Sequence, residues 1–258
     1  MSDIREGLEK AYNELAIKDF PDVERIKFIA ALGASDEIDY HYKLICDSWK
    51  SGRRLYLENS FDRHDVEGLE FLFQKIAEAE SEEIRVFTAY MIAEILSKSR
   101  HRNFYEGFCE RLVPIIVSSV QTDNEILRRK LIIALGFVAS SKEIEFLTSR
   151  MLSDEDPLCR AWSASSLMQM SFHGVSKEEI CDTSKAAFTK ALTDEKDIYA
   201  CGLMLESVQT LYGKRWLSSS AVEDVDEDKF YKLYHDLQII LAVQAGALLL
   251  ISIGLLIR

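Results

Sequence analysis

The chain has 258 residues, 48% of them hydrophobic, which is long and apolar enough for a packed core and excludes disorder of the whole. A formal charge of −12 argues against a nucleic-acid binder, because phosphate neutralisation needs a basic stripe, and it favours a basic partner. Three prolines, eleven glycines and no Asn-Gly or Asp-Gly hairpin dipeptide leave an all-α class.

Residues 3–17 read as an amphipathic helix with Ile4, Leu8, Tyr12 and Leu15 on one face. Pro21 suits the first turn of a second helix that ends near Gly33, and a third, over 36–49, stops at Ser51-Gly52. A fourth begins after the stretch 59–65. From residue 66 the helices fall into pairs: 66–79 with 82–97, 104–120 with 124–139, 142–152 with 157–170, and 177–192 with 196–211. Pro114 lies inside one of them and predicts a kink, since it removes a backbone donor and crowds the preceding turn.

One phrase recurs at the start of the second helices: an acidic turn, an aliphatic residue, often an arginine, then an apolar helix. It occurs as Asp22-Val23-Glu24-Arg25, Glu82-Glu83-Ile84-Arg85, Asp123-Asn124-Glu125-Ile126-Leu127-Arg128 and Asp154-Glu155-Asp156-Pro157-Leu158-Cys159-Arg160. A last copy, Asp194-Glu195-Lys196-Asp197-Ile198, lacks the arginine, whose place falls to Ala200. The aliphatic anchors Ile84, Ile126, Leu158 and Ile198 are spaced by 42, 32 and 40 residues, near the roughly 40–47 of helix-pair repeats apart from the short one.

In this phrase and spacing the chain resembles HEAT and HEAT-like, armadillo-type, helical repeat proteins over about residues 66–212. The resemblance implies a curved right-handed α-solenoid of antiparallel helix pairs, with second helices lining the concave side. It also implies a ladder of acidic residues and arginines, here Asp123 with Arg128 and Asp154 with Arg160. The binding surface would then be the exposed positions of the second helices, with Arg85, Arg129, Gln169 and Glu206 as candidates.

Residues 1–216 are expected to form this repeat domain. Residues 217–228, in which Ser218-Ser219-Ser220 precede an acidic run, read as a solvated linker, and 229–258 as a C-terminal apolar helix. Within it, 237–257 carries no charge, and thirteen of its positions are Leu, Ile or Val. As a helix it would reach roughly 30 Å, the thickness of a bilayer's hydrocarbon core. Tyr231, Tyr234 and Arg258 suit its interfaces, whereas Gln238 and Gln244 count against a membrane span, although Gln238 would lie at the interface. A single-pass anchor with the main domain in the cytoplasm is the leading expectation. A buried helix closing the repeat stack, in a soluble cytoplasmic protein, is the alternative.

Chemistry is hard to find. There is no glycine-rich phosphate loop, His-Glu-x-x-His or Gly-x-Ser-x-Gly motif, so no catalytic residue, cofactor or metal is expected. His41, His64, His101, His173 and His235 are isolated in sequence, and His41 and Cys46 fall on different faces of a helix. Cys46, Cys109, Cys159, Cys181 and Cys201 show neither zinc spacing nor a disulfide framework and read as small hydrophobes in a reducing compartment. No apolar leader follows Met1, so no secretory signal is expected. Of Trp49, Trp162 and Trp216, Trp162 is expected in the core because it continues the stripe from Leu158. Cations cluster at Arg53-Arg54, Lys98 to Arg102 and Arg128-Arg129-Lys130, and two of these clusters fall where a helix should end and complement its dipole.

The leading functional reading is a non-enzymatic protein–protein interaction scaffold or adaptor held at the cytoplasmic face of a membrane. A second is an acidic immunity or inhibitor protein that blocks a basic toxin or nuclease. HEAT-like enzymes include bilin lyases and base-excision glycosylases; no residue here can be assigned to the first, and the acidic balance opposes the second.

Overall fold

The computed structural model describes residues 3–214; the expected linker and anchor, with Trp216 and His235, lie outside the described residues. Among these, every regular element is helical. The chain divides into two compact units, one up to Leu112 and one from Val113, the division falling within a helix.

The first unit contains α1 (Asp3–Ile17), α2 (Asp22–Gly33), α3 (Ile38–Ser51), a 3-10 helix (Leu57–His64), α4 (Asp65–Glu78), α5 (Glu82–Lys98) and the start of α6 (Tyr105–Ser119). Its core holds Leu32, Ile45, Leu57, Phe61, Leu69, Leu72, Ile92 and Leu96, each at most 1% exposed. The 3-10 helix is bracketed by two non-glycine residues at positive φ, Tyr56 (58°) and Asp65 (51°), a backbone state that bulky L residues enter at a cost. Buried hydrogen bonds hold its interior. His41 Nδ1 lies 2.9 Å from His64 Nε2, and His41 Nε2 lies 2.8 Å from the Leu57 carbonyl, with His41 fully buried. The carbonyl requires a proton on His41 Nε2, so His41 Nδ1 accepts from His64 Nε2–H. Ser60 Oγ donates to the Ile29 carbonyl at 2.6 Å, clamping the segment against α2. Gly33 makes this approach possible: a Cβ there would lie 2.5 Å from the Ser60 carbonyl oxygen.

The second unit contains the rest of α6, then α7 (Glu125–Val138), a short 3-10 turn (Ser141–Glu143), α8 (Ile144–Ser153), α9 (Pro157–Phe172), α10 (Lys177–Asp194) and α11 (Ile198–Tyr212). α6 runs unbroken through Pro114 to Ser119. The α10–α11 pair is antiparallel: Lys177 Nζ, at the start of α10, donates to the Thr210 carbonyl near the end of α11, and Tyr212 Oη donates to the Cys181 carbonyl. The second helices α7, α9 and α11 pack side by side, with α9 in the middle. Small residues permit this. Cys159, Ala161, Ser163, Ala164 and Ser166 form much of the buried side of α9, and Gly136 of α7 sits where a Cβ would lie 3.0 Å from the Ser166 Cα. The buried serines return their hydroxyls to backbone: Ser163 to the Cys159 carbonyl, Ser166 to Ile132 of the neighbouring helix.

Helix boundaries follow from capping. Ser81, Asn124, Asp156, Ser176 and Asp197 each accept a backbone N–H of the first turn through their side chains, satisfying donors that have no intrahelical partner.

Candidate functional site

The caps of α7, α9 and α11 align at one edge of the second unit and fix a repeated electrostatic joint. Four residues after its cap, α7 carries Arg128 and α9 carries Arg160. Arg128 Nη1 donates to the Thr122 carbonyl at 2.7 Å, two residues before its own cap. Its Nε and Nη2 grip the Asp154 carboxylate of the next pair, each at 3.0 Å. Arg160 repeats the pattern one unit on, with Nη1 to the Asp154 carbonyl at 2.7 Å and Nε and Nη2 to Glu195 at 2.7 and 2.8 Å. The acceptors are nearly out of water, with Asp154 side-chain exposure 1% and Glu195 2%. Bidentate geometry and backbone N–H donors compensate them: Asp156 N–H to Asp154, and Lys196 and Asp197 N–H to Glu195.

A third pair braces the same edge. Arg129 Nε and Nη2 meet Asp156 at 2.8 and 2.7 Å, while Asp156 Oδ2 also accepts the Cys159 N–H at 2.7 Å as the cap of α9. Burial works against the Asp156 charge, but Arg129 and the groups of Cys159 outweigh it and hold its pKa at about 2. Burial raises the Cys159 thiol to about 12, with the Asp156 and Asp154 carboxylates adding to the shift, so this sulfur is an inert neighbour of the joint.

The ladder is real but its register differs from the expected one. Asp123 does not pair with Arg128, and Arg160 takes the Asp154 backbone, giving its fork to Glu195. Counted from the caps, the residue of α11 that stands where Arg128 and Arg160 stand is Cys201, not Ala200. The run Arg128-Arg129 lies at a helix start and serves these joints.

Arg85 is exposed near the start of α5, in the first unit. Arg129 is half-buried and engaged with Asp156. Gln169 and Glu206 are half-buried on α9 and α11, thirteen and nine residues after their caps. Within the second unit the three do not form one row: Arg129 and Gln169 stand at heights about 12 Å apart along their helices at the usual rise.

A different set does align. Two residues after the three caps stand Ile126 (58% exposed), the half-buried Leu158 and Tyr199 (43% exposed). Six after the caps of α9 and α11 stand Trp162 and Leu203, both half-buried. Trp162 therefore shares a half-buried face with Leu158; the core side of α9 is Cys159, Ser163, Ser166, Leu167 and Met170. Trp49 is packed differently, stacked on Phe87 with ring centroids 5.1 Å apart. A cleft of about 240 Å³ beside Arg160 is lined by Leu152, Asp194 and Lys196 among others, and its charged groups are mostly paired, Arg160 with Glu195 and Asp194 with Lys190.

No helix of the described residues is long and apolar enough to cross a membrane, and no cluster of metal-ligating side chains occurs among them. Residues 69–168 match the family model described as HEAT repeats, and the helical structure of the described residues is consistent with a HEAT-like repeat protein. No curated protein and no solved structure matches the chain.

Proposed function

We propose that the chain is a non-enzymatic scaffold whose second unit presents its second-helix face to another protein, and that residues 237–257 tether it to a membrane with the repeats in the cytoplasm. HEAT repeats generally mediate protein–protein interaction. The observation that carries the binding half is the joint at the caps: arginine and carboxylate lock α7, α9 and α11 into one register while large apolar side chains beside them stay open to solvent. Rigidity of that kind lowers the entropy lost on binding. The tether half is supported by sequence, a 21-residue run without charge that ends at Arg258.

Carbonate extraction of the tagged full chain beside a chain ending before Leu237 tests the tether. Retention in the membrane pellet only with the tail supports it, and release of both chains into the supernatant refutes it. Proximity labelling from the tagged full chain tests the scaffold: a reproducible set of neighbouring proteins is expected, and labelling no different from that of a tag alone rejects the reading.

A further inference from the structure

We infer that the open edge of the second unit receives a basic segment carrying apolar anchors; this rests on the scaffold reading above and specifies its partner. The seat is the row Ile126, Leu158 and Tyr199, backed by Trp162 and Leu203. Single exposed aliphatics are ordinary on a protein surface, but here the second helices of three successive pairs carry a large apolar residue at the same place after the cap. The joints hold those places side by side. Arg129 of α7 reaches the cap of α9, Cys159 Sγ donates to the Glu125 carbonyl at 3.7 Å, and Arg160 of α9 reaches Glu195 just before α11.

Charge selects the occupant. The arginines of this edge, Arg128, Arg129 and Arg160, are spent on Asp154, Asp156 and Glu195. Around the row the exposed acids are Asp123, Glu125, Glu155 and Asp197, facing the exposed Lys196 and the half-buried Lys130. An uncharged partner would desolvate these carboxylates without return, and an acidic one would be repelled. A lysine- or arginine-bearing segment pairs them while its aliphatic or aromatic residues cover the row. Aromatic residues in such a patch, here Trp162 on the middle helix and Tyr199 on an outer one, commonly carry a large share of binding energy.

The test uses the full-length chain immobilised on beads and three fluorescent helical peptides of equal length. One carries lysines with leucine and tryptophan on one face, one replaces the leucines and tryptophan by alanine, and one replaces the lysines by glutamate. The first is expected to bind at least about tenfold more tightly than either other peptide and to weaken as salt rises. Ile126→Ser with Tyr199→Ser, both at exposed positions, and separately Glu125→Lys with Glu155→Lys, are each expected to weaken it about tenfold with the thermal midpoint unchanged. Equal binding of the three peptides, undiminished binding by both variants, or loss of self-association as the sole effect of the serine variant overturns the inference. Proximity labelling with the same variants separates the two readings. An unchanged set of neighbours discards this edge and leaves the scaffold standing, whereas labelling that never exceeds the tag alone removes both.

Discussion

Arg128 and Asp154 show how much a single side chain can matter here. The pair is almost without water, so truncating the arginine leaves a buried carboxylate with only the weaker Arg150 contact at 3.4 Å and one backbone N–H. Arg128→Ala is expected to cost about 3–5 kcal/mol. Lys190→Ala removes a pair of the same chemistry whose members are 64% and 58% exposed, and should cost well under about 1 kcal/mol. Chemical denaturation of the two variants checks this, and equal midpoints would show that burial confers nothing on the joint. Arg129 adds a different lesson. Read from sequence as an exposed position of a second helix, it is a candidate for binding, yet its fork is occupied by Asp156. Composition announces a cation and says nothing about whether it is spent.

Among the elements, helix positions were largely legible because caps and apolar periodicity are local. α1 matches its expected span, and α5, α7 and α9 begin where the acidic phrases place them. Register between elements was not legible. Counting from the acids put Ala200 in the arginine's place, whereas counting from the cap Asp197 puts Cys201 there, and only the cap fixes the direction of a side chain. Trp162 was assigned to the core on a spacing of four, but that spacing continues any stripe, open or buried. The 3-10 helix was illegible because what holds it, His41 with His64 and the Leu57 carbonyl, joins residues far apart in sequence. Close approach between elements is testable at Gly33. Gly33→Ala puts a methyl against the Ser60 carbonyl and should cost about 1–3 kcal/mol, while Gly107→Ala, in α6 with nothing within 4 Å, should gain up to about 1 kcal/mol from helix propensity. Thermal unfolding of both variants decides, and a stabilised Gly33→Ala protein would contradict the described contact.

Over the whole molecule, the two units should answer acid differently. Burial lowers the His41 pKa from 6.5 to about 4, against the pull of its Leu57 hydrogen bond, and burial lowers that of His64 too, against Glu67, Asp36 and Asp62. Because the folded form disfavours the proton, stability is full above pH 6.5 and is lost as pH falls toward 4, by up to about 3 kcal/mol for His41. In the second unit Asp156 has its pKa lowered from 3.8 to about 2, so its contribution is present above pH 3.8 and is lost only between there and about 2. Hydrogen exchange between pH 7 and 4.5 should therefore show residues 57–64 and α3 losing protection while α7 and α9 keep theirs; simultaneous loss would refute the assignment. The joints between pairs also have a direction. α7 supplies a plug, Arg128, but has Thr122 where a socket would be; α9 has both plug and socket in Arg160 and Asp154; α11 offers the socket Glu195 and, at Cys201, no plug. A tandem duplicate of the middle pair would click between its neighbours, whereas a copy appended behind α11 would find nothing there to grasp it.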